Sequence, residues 1–134
     1  MKVAELIYNT VRPKIGRGRL VFNPCVGKGE LLRLFFDDWI PTYGMDTEYH
    51  GWPGTVEKDY LSFKKGDNPV DFKPALVVMK PAQPEEYLKQ TIELFGPKVR
   101  IALVAPKKSN VGSKYPPTKT IVLDKTVVLF YNFR

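Results

Sequence analysis

The sequence predicts one α/β domain, built on a single mostly parallel seven-stranded sheet with a C-terminal antiparallel hairpin and a reduced set of helices. Three observations carry that expectation. Seven short apolar or alternating runs read as strands, and helical patterns lie between the early ones. A tight turn, "NPCVGKGE" at 23–30, separates the first such strand from a helical pattern. The run "KTIVLDKTVVLFYNF", 119–133, holds two strand patterns around Asp124-Lys125, the signature of a hairpin. Strands joined through helices imply right-handed crossovers. Ligands of such sheets lie at the carboxyl ends of strands, near the switch in strand order.

The elements follow in order. "VAELIYNTV", 3–11, places Val3, Leu6, Ile7 and Val11 on one helical face, and Pro13 ends it. "RLVFN", 19–23, is a short buried strand. "GELLRLFFDDW", 29–39, reads as a helix with Leu31, Leu32, Phe35 and Trp39 toward the core. "PTYGMD", 41–46, is a strand ending on an acid. "GTVEKDYL", 54–61, suits a short edge strand. "YLSFKKGDNPVDFK", 60–73, has room for a turn at most. "PALVVMK", 74–80, is strongly apolar. "PEEYLKQTIELFG", 84–96, is a helix: Pro84 fits the first turn, two glutamates complement the helix dipole, and Gly96 stops it. "VRIALVAP", 99–106, is another buried strand, and "PKKSNVGSKYPP", 106–117, is a loop. No repeat, linker or low-complexity segment divides the chain, so 1–134 reads as one domain.

Charge and composition exclude several classes. With 21 Lys and Arg against 14 Asp and Glu, the net charge is +7. Such a surplus attracts polyanions at long range, and it equally describes a solvated basic surface. The single Cys25 excludes an internal disulfide, and with one histidine, His50, no metal centre is expected. No apolar run approaches the ~18 residues of a membrane span. The N-terminus lacks the pattern of a signal peptide, so a cytoplasmic location is expected and no membrane partner.

The glycine turn is the informative motif. "FNPCVGKGELL", 22–32, has Leu32 where a dinucleotide fingerprint has its third glycine, and no Lys-Ser/Thr follows as in a phosphate-binding loop. It resembles instead the first motif of S-adenosylmethionine-dependent methyltransferases, chiefly the nucleic-acid amino-methyltransferase type, of form Asp/Asn-Pro-x-x-Gly-x-Gly-x-Leu. The following pieces, "YGMDTE", "EKDYL", "ALVVMKPA" and the terminal hairpin, come in that family's order and cover nearly the whole chain. The resemblance implies the Rossmann-like methyltransferase fold and S-adenosylmethionine as cofactor. Carried over residue by residue, it implies that Asn23 and Pro24 shape the amino-acid end of the cofactor site. Gly27 and Gly29 would let the backbone pass beneath the methionine part. Asp46 would accept from the ribose hydroxyls, two charge-assisted hydrogen bonds of ~1.5–3 kcal/mol each. Asp59 would accept from the adenine amine, and Tyr60 would stack on its ring.

The fourth motif departs from the family. Amino-methyltransferases carry Asn/Asp/Ser-Pro-Pro-Tyr/Phe there, a polar acceptor to orient the amine and an aromatic ring to stack on the flipped base. Here the stretch is Met79-Lys80-Pro81-Ala82, and of that pattern only Pro81 stands in place. Lys80 is the remaining candidate, as a general base for a hydroxyl or as a phosphate contact. Cys25 reads as a small residue filling the turn, and His50 as a loop residue near Trp52. The chain also lacks room for a helix between Asp46 and Asp59 and for a target-recognition domain. Two readings follow. One is a minimal methyltransferase acting on nucleic acid, with a protein partner to supply substrate recognition. The other is a non-catalytic methyltransferase-like module that binds nucleic acid or a protein.

Overall fold

In the computed structural model, which describes residues 2–16, 18–70 and 73–133, all seven expected runs form strands. They are β1 (Val21–Asn23), β2 (Thr42–Asp46), β3 (Val56–Glu57), β4 (Leu76–Met79), β5 (Ile101–Pro106), β6 (Lys119–Val122) and β7 (Thr126–Tyr131). They form one sheet in the order β3-β2-β1-β4-β5-β7-β6. The first five pair in parallel, β7 runs antiparallel beside β5, and β6 pairs with β7 as the hairpin. The order reverses between β1 and β4, which places the switch point at the end of β1.

Both faces of the central strands are covered, and their sequences show why. Every residue of β4 and of β1 is buried, so each reads as an unbroken apolar run save for Asn23. One face carries a core of Val21, Val78, Ala102 and Phe130 under the first two helices. The other carries Phe22, Met79, Leu103 and Leu129 under the third.

The helices are α1 (Val3–Val11), α2 (Arg33–Asp37), α3 (Pro84–Phe95) and α4 (Val111–Lys114). α1 and α3 match the expected spans, and Gly96 ends α3 with φ +90°. The expected 29–39 helix shrinks to the five residues of α2, preceded by turns through residue 32. It ends in a Schellman arrangement: Ile40 N–H donates to Phe35 O at 3.0 Å and Trp39 N–H to Phe36 O at 3.1 Å. Trp39 takes the left-handed position, φ +60°, normally a glycine's. Its side chain therefore points out of the core it was expected to join, and it is 88% exposed. Asp38 then ties α2 to α1, accepting from Tyr8 Oη at 2.8 Å and Arg12 Nε at 2.6 Å.

One loop differs from expectation, and two match it. The 106–117 segment contains α4, seated by buried Val111 and by the Tyr131 hydroxyl donating to Tyr115 O at 2.7 Å. The 60–73 segment opens with a 3-10 turn, Tyr60–Ser62; residues 71 and 72 lie outside the described residues. The β2–β3 crossover has no helix, and Trp52 fills the space instead. Its indole is 5% exposed, packs edge-on against Phe36 at 5.5 Å and joins the core beside Leu32 and Phe35. Among the described residues no helix is long and apolar enough to cross a membrane.

The Trp39 backbone supplies a test. A non-glycine residue in the left-handed region costs ~1–2 kcal/mol, and this ring has few neighbours to offset it. Trp39→Gly should raise the denaturant midpoint by the equivalent of ~1 kcal/mol. A lower midpoint would show that the ring's packing outweighs the backbone strain.

Candidate cofactor site

The site is built from the end of β1. Asn23 is buried, and its Oδ1 accepts from Cys25 N–H at 2.9 Å, which bends the chain sharply after the strand. Two bonds then fasten the turn to β2: Val26 N–H donates to Met45 O and Gly27 N–H to Asp46 Oδ2, each at 2.9 Å. Asp46 Oδ1 accepts from Thr47 N–H at 2.8 Å. A carboxylate has about four acceptor positions, and these backbone donors take one on each oxygen. The Thr47 hydroxyl at 3.4 Å is a weak third contact, and His50 Nε2 stands 3.9 Å from Oδ1, beyond hydrogen bonding. Asp46 thus keeps acceptor capacity on both oxygens at the carboxyl end of β2.

The two glycines of the turn serve different needs. Gly27 has φ +56°, and a Cβ there would meet nothing within 4 Å, so it borders open space. Gly29 has φ +87°, and a Cβ there would overlap the Trp52 indole. Gly44 on β2 meets the same ring, 2.9 Å from where its Cβ would stand. The two glycines therefore differ in their surroundings: the Cβ side of Gly29 is filled by Trp52, and that of Gly27 is open. Pro24, next to Asn23, is buried in the same turn.

Asp59 is exposed and caps the 3-10 turn, with Oδ1 accepting from Leu61 N–H at 3.0 Å. Tyr60 is a second correction. It is fully buried, its hydroxyl is 2.9 Å from Thr91 Oγ1, and its ring packs against Phe22 at 5.7 Å. Burial pushes its phenol well above the usual range. Such a ring is core and has no free face for adenine. Tyr87 of α3 lies 5.5 Å from Tyr60 on the outer side of the pair. Burial pushes the Tyr87 phenol up to about 12, with further upward contributions from Cys25, Asp59 and Asp46. Its hydroxyl has no hydrogen-bond partner among the described residues. The sequence hides Tyr87, because with Leu88, Thr91 and Phe95 it reads as the buried stripe of a helix. Trp52 is hidden too, in a Gly-Pro-rich loop with no period.

At the end of β4, Met79 is core, with Thr91 Oγ1 3.9 Å from its sulfur. Pro81 is buried, and Lys80 and Ala82 are exposed. The Lys80 backbone N–H lies near the Cys25 sulfur and favours its thiolate. Burial nevertheless pushes the Cys25 thiol up to about 12, so it stays protonated at neutral pH and is no nucleophile.

No family model matches the chain, and no curated protein matches it by sequence. Solved structures do. A candidate methylase from Haemophilus influenzae aligns with TM-score 0.70 at 14% identity, covering 100% of this chain and 90% of that one. An RNA methyltransferase from Salinibacter ruber, solved with S-adenosyl-L-homocysteine, aligns at 0.69 and 10%, covering 99% and 93%. A 16S rRNA methyltransferase from T. thermophilus, solved with S-adenosylmethionine and guanosine, aligns at 0.68 and 13%, covering 100% and 43%. The chain has the Rossmann-like fold of the S-adenosylmethionine-dependent methyltransferases. At such identities it is the fold that is shared, and the chemistry rests on this chain's own residues.

The geometry yields two expectations. Gly29→Ala must displace Trp52 and adopt a strained φ, so it should destabilise the fold by ~3 kcal/mol, while Gly27→Ala should cost ~1 kcal/mol. Equal losses in urea unfolding would erase the distinction. The second concerns pH. The unfolded chain releases the Cys25 proton near pH 9 and the folded chain near 12, so the folded state binds more protons between. The associated stability is fully present below pH 9 and is lost as pH rises toward 12. The melting temperature should fall from pH 9 to 11, and fall less in Cys25→Ala. Part of the fall remains, because the Tyr131 phenol is pushed up by burial in the same direction.

Proposed function

We propose that the chain is a minimal S-adenosylmethionine-dependent methyltransferase whose acceptor is nucleic acid. The observation that carries this is the fastened turn. Gly27 borders open space while its N–H is bonded to Asp46, whose Oδ2 has that one donor and whose Oδ1 has the Thr47 N–H and a weak contact from the Thr47 hydroxyl. The acceptor capacity left on this carboxylate suits the donors of a ribose diol. Asn23 and Pro24 hold the turn in shape, Gly27 lets a ligand approach the backbone, and Asp59 offers an exposed carboxylate to an exocyclic amine. Tyr87 replaces Tyr60 as the aromatic group bordering the site. S-adenosylmethionine, when bound, supplies a methyl group already activated on a sulfonium centre. The chain's share is therefore mainly positioning.

The net charge of +7, together with fold neighbours described as RNA methyltransferases, favours a nucleic-acid acceptor. Lys80, exposed at the end of β4, would contact a phosphate or take the proton of a hydroxyl, and Pro81 fixes its exit from the strand. With Met79 in the core and no ring at Ala82, no side chain there orients a base amine. The same fact favours a second reading, a methyltransferase-like module that binds without catalysis. A protein partner that supplies substrate recognition, and a cytoplasmic setting, complete the proposal.

Titration with S-adenosylmethionine and its demethylated product tests the cofactor. Asp46→Asn keeps an acceptor for Gly27 N–H and removes the charge; affinity should fall about a hundredfold, ~2–3 kcal/mol. Unchanged affinity removes Asp46 from the site. Transfer of a tritiated methyl group to RNA and DNA should leave exocyclic base amines unlabelled. Label on a hydroxyl, with a rate that rises with pH and is lost in Lys80→Met, supports the enzyme. Cofactor binding without transfer to any acceptor supports the module.

A further inference from the structure

The strands that end at the glycine turn begin at the opposite edge of the sheet. Arg19 precedes β1, Lys73 precedes β4, and Lys98 and Arg100 precede β5; Asn132 follows the antiparallel β7. All five line one cleft of about 300 Å³. Its lining holds four cations and, among the described residues, no carboxylate. A second hollow of about 230 Å³, reaching Gly18 and Pro41, shares Arg19 and Lys73 with it. The cations therefore line a track rather than a cup.

Two details show that the track is built. Asn132, in the left-handed region at φ +68°, donates from Nδ2 to Pro97 O at 3.0 Å and Val99 O at 2.6 Å. That clamps the short turn bearing Lys98. Arg100 lays its guanidinium 5.9 Å from the centre of the Phe133 ring, and its Nε is shielded from water with no acceptor among the described residues. A shielded guanidinium donor without an acceptor is unfavourable, and three neighbouring cations add to the cost. An anion entering the cleft offsets the mutual repulsion of its four cations.

We infer that this cleft binds successive phosphates of a single-stranded nucleic acid, at the sheet edge remote from the cofactor turn. Four cations exceed what one phosphate group of about −2 neutralises, and the elongated track fits a linear polyanion. The inference rests on the nucleic-acid part of the reading above and is independent of the cofactor.

The test is fluorescence anisotropy of a labelled single-stranded RNA of mixed sequence across a range of salt. Arg19→Gln/Lys73→Gln/Lys98→Gln/Arg100→Gln should weaken binding at least tenfold at low salt. It should also flatten the plot of log affinity against log salt by ~0.7 for each phosphate that is no longer neutralised. Lys73→Gln/Lys98→Gln changes only exposed side chains, so it keeps the fold and should give about half that flattening. A charge-matched control, Lys64→Gln/Lys65→Gln/Lys89→Gln/Lys119→Gln, should leave the slope near that of the native chain. An unchanged slope in the cleft variants, or an equal flattening in the control, overturns the site. So does preferential binding of anionic phospholipid vesicles over RNA. Absence of RNA binding by the native chain would overturn the nucleic-acid acceptor as well. The cofactor titration should be unchanged in every cleft variant, which keeps the two failures apart.

Discussion

A strand can join a parallel sheet only if the chain first returns to the edge where its neighbour began. The first five strands of this protein obey that constraint, and the placement of both candidate sites follows from it. Their carboxyl ends gather at one edge, so Asn23, Asp46 and Lys80, distant in sequence, become neighbours around one turn. Their beginnings gather at the other, so Arg19, Lys73 and Arg100 do the same. The antiparallel β7 brings Asn132 to the second edge by running the opposite way. One sheet thus presents an acid-and-glycine edge and a basic edge.

The chain meets the constraint with little material. A crossover helix normally covers the sheet between consecutive parallel strands. Between β2 and β3 the cover is one indole, and that substitution explains otherwise unrelated residues. Gly29 and Gly44 leave the hollow that Trp52 enters, and Phe36 backs it from α2. The same ring braces the turn that Asp46 fastens. Packing on one face of the sheet is thereby coupled to the conformation of the candidate cofactor site at its end.

The chemistry at the end of β4 is equally conditioned by packing. Met79, which the sequence resemblance aligns with the polar acceptor of base-amine methyltransferases, completes the core under α3. Tyr60 likewise sits at an expected ligand position and belongs to the core, stacked beneath Tyr87. What remains accessible is Asp46, Gly27, Asp59, Lys80 and the rim of Tyr87.

The central strands were legible in the sequence because burial on both faces writes itself as short apolar runs, and α1 and α3 because their apolar residues keep a helical period. The turn was legible because Asn-Pro and paired glycines interrupt the chain between a strand pattern and a helical one, and Asp46 because it closes a strand. Other features were decided only by the tertiary structure. Which glycine makes room for a tryptophan and which borders open space depends on Trp52, which no local pattern announces. The early end of α2 depends on Trp39 accepting a left-handed backbone, against its propensity. That Tyr60 belongs to the core depends on Tyr87 and Thr91 of α3 covering it. The basic track depends on strand order alone, because four cations scattered through the sequence show no pattern until parallel pairing brings their strand beginnings together.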